Sequence, residues 1–167
     1  MRLTAYIALG ANLGDPVTTV RAAFAALREM GGATLIASSS LYRTAPVGLR
    51  QQPDFINAVA ALAVDPAVLP APTFLARLFA IEARFGRVRG ERNAPRTLDL
   101  DLLLYGDLVS DDPVLLLPHP RMAERAFVLA PLAEIAPDLV IPGHGRIGDL
   151  LPAVAAQHIE QLREPVA

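Results

Sequence analysis

The chain has 167 residues, is 53% hydrophobic and carries a net charge of −2, which suits one domain spanning residues 1–167 with a sizeable core and argues against a duplex nucleic-acid partner. It contains no cysteine, so thiol nucleophiles, disulfides and thiolate metal sites are excluded. All 15 basic residues are arginine, which removes the lysine of a Walker-type phosphate loop and of Schiff-base chemistry and leaves Arg, metal or backbone to handle phosphate.

In chain order, Leu3 to Leu9 alternate as a strand. The opening MRLTAYIALGANLGD meets Gly and Asn too early for a signal peptide, and no apolar run reaches membrane-spanning length, so a cytoplasmic location is expected. Asp15 is placed to cap a helix with Pro16 at its first position, and Val17, Val20, Phe24 and Leu27 recur at helical spacing until Gly31-Gly32. A strand over about 34–43 and another over 54–64 follow, with Phe55, Asn57 and Val59 on one face. Thr73 is the expected cap of a second helix whose buried stripe is Phe74, Leu78, Ile81 and Phe85, with Glu82 at its edge. Residues 96–106, RTLDLDLLLYG, read as a further strand. The order βαββαβ predicts an α+β, ferredoxin-like antiparallel sheet with helices on one face, and the Pro-rich chain after Asp107 predicts a C-terminal extension of short helices and loops.

The apolar strand RTLDLDLLLYG carries two aspartates. Alternation puts Asp99 and Asp101 on one side and Leu98, Leu100 and Leu102 on the other. Paired carboxylates with no neighbouring His suit Mg²⁺, which completes its shell with water and phosphate oxygens; a solvated strand face is the bland reading of the same pattern. Just upstream, residues 86–96 hold Arg87, Arg89, Arg92 and Arg96 together with Gly86 and Gly90. Arginine forks suit phosphate, so a cationic loop beside an anionic pair points to metal and polyphosphate together. Asn57 lies in the apolar run FINAVAAL, where burial requires either a structural hydrogen bond or a ligand. Phe55, on an alternating strand, reads as plain core. His119, His144 and His158 read as surface loop residues.

The segments AYIALGANLGD, SSSLYRTAPVG, QPDFINAV, FGRVRGERNAPRTLDLDLLLYG and LPHPRMAERAFVLAPLAEIAPDL resemble the 6-hydroxymethyl-7,8-dihydropterin pyrophosphokinases of folate biosynthesis. The resemblance implies transfer of the β,γ-diphosphoryl group of ATP to the pterin hydroxymethyl oxygen, with release of AMP, by a cytoplasmic, monomeric enzyme of ferredoxin-like fold that has small-molecule substrates only. It implies that Asp99 and Asp101 hold two Mg²⁺ ions and that Arg87 and Arg96 act with them in catalysis. Glu82, Arg89, His119 and Arg125 would bind ATP. Thr44, Ala45 and Val47 would offer backbone groups to the pterin, Asn57 would hydrogen-bond its edge, and Phe55 and Phe127 would sandwich it.

The sequence departs from the family pattern in three places. The Arg loop is shorter than in some members, Asn93 stands where some carry an aromatic, and Ala45 replaces a frequent Pro. Two other classes compete with this reading. A nucleotidyltransferase would also use an Asp pair with two Mg²⁺ ions, but with a Gly-Ser turn in place of the Arg loop. An RNA-binding module would need aromatics on an exposed sheet face and more basic charge.

Overall fold

A computed structural model of the chain describes residues 2–45, 52–86 and 97–162. Strand β1, Leu3–Ala11, runs into helix α1, Pro16–Arg28. The helix starts where expected: Asp15 accepts from the Thr18 N–H at 3.3 Å and from the Thr18 hydroxyl at 2.7 Å, which satisfies one of the donors a helix start leaves unpaired. Gly32 then turns the chain with φ +85°, a conformation that side chains with a Cβ disfavour.

The strand expected over 34–43 is two strands, β2 (Ala33–Ser38) and β3 (Tyr42–Thr44). Ser39 makes the break. Its N–H donates to the Val59 carbonyl at 2.9 Å and its hydroxyl oxygen accepts from the Val59 N–H at 2.8 Å. A serine side chain thus replaces one rung of the ladder and lets the strand change direction. Both pieces pair antiparallel with the long β4, Phe55–Val64.

Helix α2, Ala71–Arg84, begins earlier than a Thr73 cap would set it. Pro70 is the N-cap with no side-chain hydrogen bond, and Pro72 lies in the first turn. Proline preorganises φ, and Pro70 and Pro72 remove two of the four N–H groups that a helix start leaves unpaired, which lessens what a capping side chain would add. Phe74, Leu78 and Ile81 are buried as expected. Glu82 is buried with them rather than sitting at the stripe's edge.

Strand β5, Asp99–Tyr105, is followed by the hairpin β6 (Ser110–Asp112) and β7 (Leu115–Leu117) and a 3-10 turn at Met122–Glu124. Then come helix α3 (Ala126–Ile135), the pair β8 (Val140–Ile141) and β9 (Gly145–Arg146), and helix α4 (Ile147–Leu150). A second 3-10 turn, Leu151–Val154, leads to β10, Glu160–Gln161.

The main sheet has the order β10-β3-β4-β1-β5, with β2 also on β4, and its pairings are all antiparallel. Its two faces have different cover. Ile7, Leu9, Ile56, Leu62, Leu100 and Leu102 point to one face and form a core with α1 and α2. Val59, Leu103 and Leu104 point to the other, under Val128, Leu129 and Leu132 of α3 and Ile147 of α4. The second core is shorter than the sheet, so one end of that face stays open.

Strand β5 holds a bulge. Ile7 pairs Leu102 and Tyr6 pairs Leu104, so Leu103 is the extra residue. Beyond it Tyr105 returns to the first core, donating its hydroxyl to the Leu69 carbonyl and meeting Phe74 edge-on at 6.2 Å.

Candidate active site

The open end of the second face is a pocket of about 530 Å³. Its floor comes from the sheet register. Gly10 of β1 lies between Asn57 of β4 and Asp99 of β5, and one step along, Ala8 lies between Val59 and Asp101. Directly paired residues share a face, so Asn57, Asp99 and Asp101 all point into the pocket. Gly10 and Ala8, the smallest side chains available, leave the floor clear between them. Two strand spacings put Asn57 about 10 Å from Asp99, and two residues along β5 put Asp99 about 7 Å from Asp101, Cα to Cα. A Cβ on Gly10 would come 3.1 Å from Asn57 Oδ1, closer than a side-chain oxygen tolerates without moving.

Asn57 is buried, 6% exposed, and its Nδ2 donates to Thr44 Oγ1 at 2.8 Å. That bond answers the requirement that a buried amide be paired, and it fixes the rotamer at the pocket edge. Thr44 and Ala45 form the rim beside Phe55, and Phe127 and Val128 at the start of α3 face them. The Arg125 guanidinium lies 5.4 Å from the Phe127 ring centroid, within cation–π range.

Eight of the residues singled out in the sequence therefore line one pocket: Thr44, Ala45, Phe55, Asn57, Asp99, Asp101, Arg125 and Phe127. His119 is not in its lining but adjoins it. Its N–H donates to the Leu103 carbonyl at 2.9 Å, which ties it to the β5 bulge. Its Nδ1 accepts from the Arg121 N–H at 3.2 Å, so the neutral ring carries its proton on Nε2. Burial chiefly, then the charge of Arg125, holds the imidazole below the usual histidine range, with Asp99 pulling the other way. Neutral His119 is thus an Nε2–H donor near both Asp99 and Arg125.

Glu82 also lies outside the pocket lining. Its Oε2 accepts from the Leu100 N–H at 2.8 Å, on the outer side of β5, the end strand of the sheet. Val47, Arg87, Arg89 and Arg96 fall outside the described residues, as does the rest of the loop 87–96 that includes Asn93.

Sequence reasoning did not single out Arg121, Glu124, Gln157, His158 and Ile159, which also line the pocket. His158, read as a surface histidine, is among them. The C-terminal residues return to the site as β10 pairs with β3, Glu160 opposite Arg43 and Gln161 opposite Tyr42; nothing local in their sequence signals that return. Arg121 stands in the LPHPRM run, two residues from His119, and the available signal was a second cation beside a residue that the resemblance assigns to ATP.

No cluster of three or more His, Asp or Glu able to hold a metal exists among the described residues. The donors at hand are the two carboxylates of Asp99 and Asp101, too few for a closed structural site. They fit Mg²⁺, which keeps several waters and takes one or two carboxylates plus substrate phosphates. No helix of the described residues is long and apolar enough to cross a membrane.

The profile of the 7,8-dihydro-6-hydroxymethylpterin-pyrophosphokinase family matches residues 6–137. A 2-amino-4-hydroxy-6-hydroxymethyldihydropteridine pyrophosphokinase of Pseudomonas aeruginosa is 46% identical over 157 residues, covering 94% of this chain and 95% of its own. Proteins of the same name from Haemophilus influenzae and Bacillus subtilis are 44% and 46% identical, over 89% and 81% of this chain and 91% and 79% of theirs. Among solved structures, the wild-type Plasmodium falciparum HPPK-DHPS with SDX-DHP aligns at TM-score 0.62 with 14% identity, over 91% of this chain and 43% of that one. An HPPK-DHPS in complex with substrates aligns at 0.67, also with 14% identity, over 92% of this chain and 43% of that one. At that identity the likeness concerns the fold alone, and this chain spans less than half of those longer ones.

Proposed function

Since the chain belongs to the 7,8-dihydro-6-hydroxymethylpterin-pyrophosphokinase family and has the pyrophosphokinase activity on hydroxymethyldihydropterin that serves folate biosynthesis, we propose that the pocket between Asn57 and the Asp99–Asp101 pair is where the transfer occurs. The observation that carries this reading is the shared sheet face. Two carboxylates suited to metal and phosphate share that face with a buried amide, Asp99 about 10 Å from Asn57 between Cα atoms, in a pocket that Phe55 and Phe127 also line. A flat heterocycle needs aromatic faces and a few aimed polar groups, and the polyphosphate needs cations.

In this reading Asp99 and Asp101 would hold two Mg²⁺ ions. When bound, the ions screen the phosphate oxygens and orient the reacting ones. Asn57, with Thr44 and the backbone of Ala45 and Val47, sets the pterin edge. Phe55 and Phe127 stack on its faces. The hydroxymethyl oxygen attacks the β-phosphorus of ATP, the bond from that phosphorus to the α-phosphate oxygen breaks, AMP leaves and the hydroxyl proton goes to solvent. His119, as a neutral Nε2–H donor, and Arg125 face the charge that grows on the α-phosphate. Arg87, Arg89 and Arg96 complete the cationic surround from the loop preceding β5. Glu82 acts at one remove: by accepting from the Leu100 N–H it fixes the strand that carries both aspartates.

The order β1-α1-(β2,β3)-β4-α2-β5 and the antiparallel sheet support assignment to the ferredoxin-like class, with residues after β5 as the extension that covers its second face. We assign the whole chain to one cytoplasmic, monomeric catalytic domain with small-molecule substrates.

The test is to incubate the protein with ATP, Mg²⁺ and 6-hydroxymethyl-7,8-dihydropterin and identify the nucleotide released. AMP formed in proportion to pterin consumed is the expected result. ADP would mean transfer of a single phosphoryl group, and pyrophosphate would mean nucleotidyl transfer; either overturns the reading.

A further inference from the structure

The C-terminal segment makes a contact that no substrate assignment uses. The Gln157 side chain bridges the backbone on both sides of Arg125: its Oε1 accepts from the Ala126 N–H at 2.9 Å and its Nε2 donates to the Glu124 carbonyl at 2.7 Å. Arg125 is the N-cap of α3, in extended conformation at φ −123° and ψ 113°, with no side-chain capping bond. The Ala126 N–H is therefore one of the helix-start donors that must find an acceptor outside the helix. A side-chain amide offers one donor and one acceptor in a plane, so it can grip two peptide units at once.

The segment carrying Gln157 is itself held at each end. The Gln157 N–H donates to the Val154 carbonyl at 3.0 Å, and beyond it β10 pairs with β3, with the Leu162 N–H on the Leu41 carbonyl at 2.8 Å. Gln161 Nε2 adds a bond to Ser40 Oγ at 3.0 Å.

We propose that Gln157 is a positioning residue for Arg125: by fixing the two peptide units that flank Arg125, it presents the guanidinium to the nucleotide phosphates from its place over Phe127. The inference rests on the reading that Arg125 meets the nucleotide. Its physical basis is preorganisation. An unrestrained arginine loses considerable rotamer freedom when it engages a phosphate, and a backbone already fixed at its root lowers that cost. It also gives the C-terminal segment a part in substrate binding: β10 anchors the residue that aims Arg125.

The experiment is a double-mutant cycle read as ATP affinity by calorimetry, with Mg²⁺ and without pterin, in the parent, Gln157→Ala, Arg125→Ala and the double variant, each checked for fold by circular dichroism. Gln157→Ala is expected to weaken ATP roughly tenfold, the scale of two modest net hydrogen bonds. In the Arg125→Ala background the same change is expected to cost less than about twofold, because the group being positioned is gone. Gln157→Met keeps length and bulk but neither bond, and should lose as much as Gln157→Ala. An equal loss in both backgrounds would overturn the proposal, as would full affinity in Gln157→Met. Full affinity in Gln157→Ala beside a clear loss in Arg125→Ala would overturn the positioning role and leave the nucleotide reading standing. An unaltered Arg125→Ala would overturn that reading, and the positioning role with it.

Discussion

Asp99 and Asp101 sit on a strand whose opposite face, Leu98, Leu100 and Leu102, is almost wholly buried in the first core. The fold is therefore secured from the side that the carboxylates do not use, and removing their charge should leave it intact. Asp101→Asn is expected to lower kcat roughly 10³-fold, the scale of losing a group that stabilises transition-state charge, while the melting temperature stays within about 2 °C, as for a substitution that opens no cavity. Turnover within about tenfold of the parent would exclude the metal-holding role. At this scale the sequence was most readable where a residue type conflicts with its surroundings. An aspartate pair in a leucine strand and an asparagine in an alanine-valine strand both demand partners, and alternation alone gives their faces. Gly10 was not readable, because its importance lies in what stands opposite: Asn57 on one side and Asp99 on the other, set by the register of three strands.

Between elements, one carboxylate ties α3 to the turn between β2 and β3. Glu134 accepts from the Ser40 N–H at 2.9 Å, from the Ser40 hydroxyl at 2.8 Å and from the Tyr42 hydroxyl. Burial first, then the hydrogen bond to Glu134 and its charge, raise Tyr42 far above the ordinary value of 10.0. The unfolded chain gives up this proton near pH 10 while the folded chain keeps it. The associated stability is thus fully present below about pH 10 and is lost as the pH climbs toward the folded value. Urea unfolding should show stability falling above about pH 10 in the parent, a fall reduced in Tyr42→Phe, which should also be about 1 kcal/mol less stable at neutral pH for want of one hydrogen bond. Parallel alkaline curves for the two proteins would contradict the assignment. This network was illegible in the sequence, since Glu134 and Ser40 lie 94 residues apart. The split between β2 and β3 was illegible for a related reason: Ser39 interrupts the strand by bonding to β4, not by any break in local pattern. The α2 start was misread because Thr73 has capping chemistry, whereas the two prolines before it already set φ and leave fewer N–H groups to cap.

For the molecule as a whole, the sheet separates stability from function. One face is a closed core with two amphipathic helices, and their 3.6-residue periods made that half readable from the sequence. The other is closed at one end by α3, α4 and 3-10 turns and open at the other as the pocket. Several of its covering pieces are two to four residues long, too short for any periodicity to declare itself, so the return of residues 157–159 to the site could not be anticipated. A pocket formed by such distant segments should couple ligand binding to global stability. ATP with Mg²⁺ at about 100 times its dissociation constant should add about 2.7 kcal/mol, which for a chain of this size is a rise in Tm of roughly 5–10 °C. Chelation with EDTA should remove most of that rise; a rise that survives it would place the nucleotide away from the aspartates.

The bulge at Leu103 gives β5 a phase as well as a composition. Before it, the odd positions 99 and 101 look into the pocket; after it, Leu104 looks to that side and Tyr105 to the other. The strand is in effect two half-strands of opposite parity spliced at a single residue. Deleting Leu103 would leave Leu102 opposite Ile7 and Leu104 opposite Tyr6 in unbroken alternation, so both carboxylates would keep the pocket and Tyr105 its Leu69 anchor; what would go is the Leu103 side chain in the second core and the carbonyl that holds the His119 N–H. The bulge is therefore a place where β5 can lose a residue without turning either carboxylate away from the pocket.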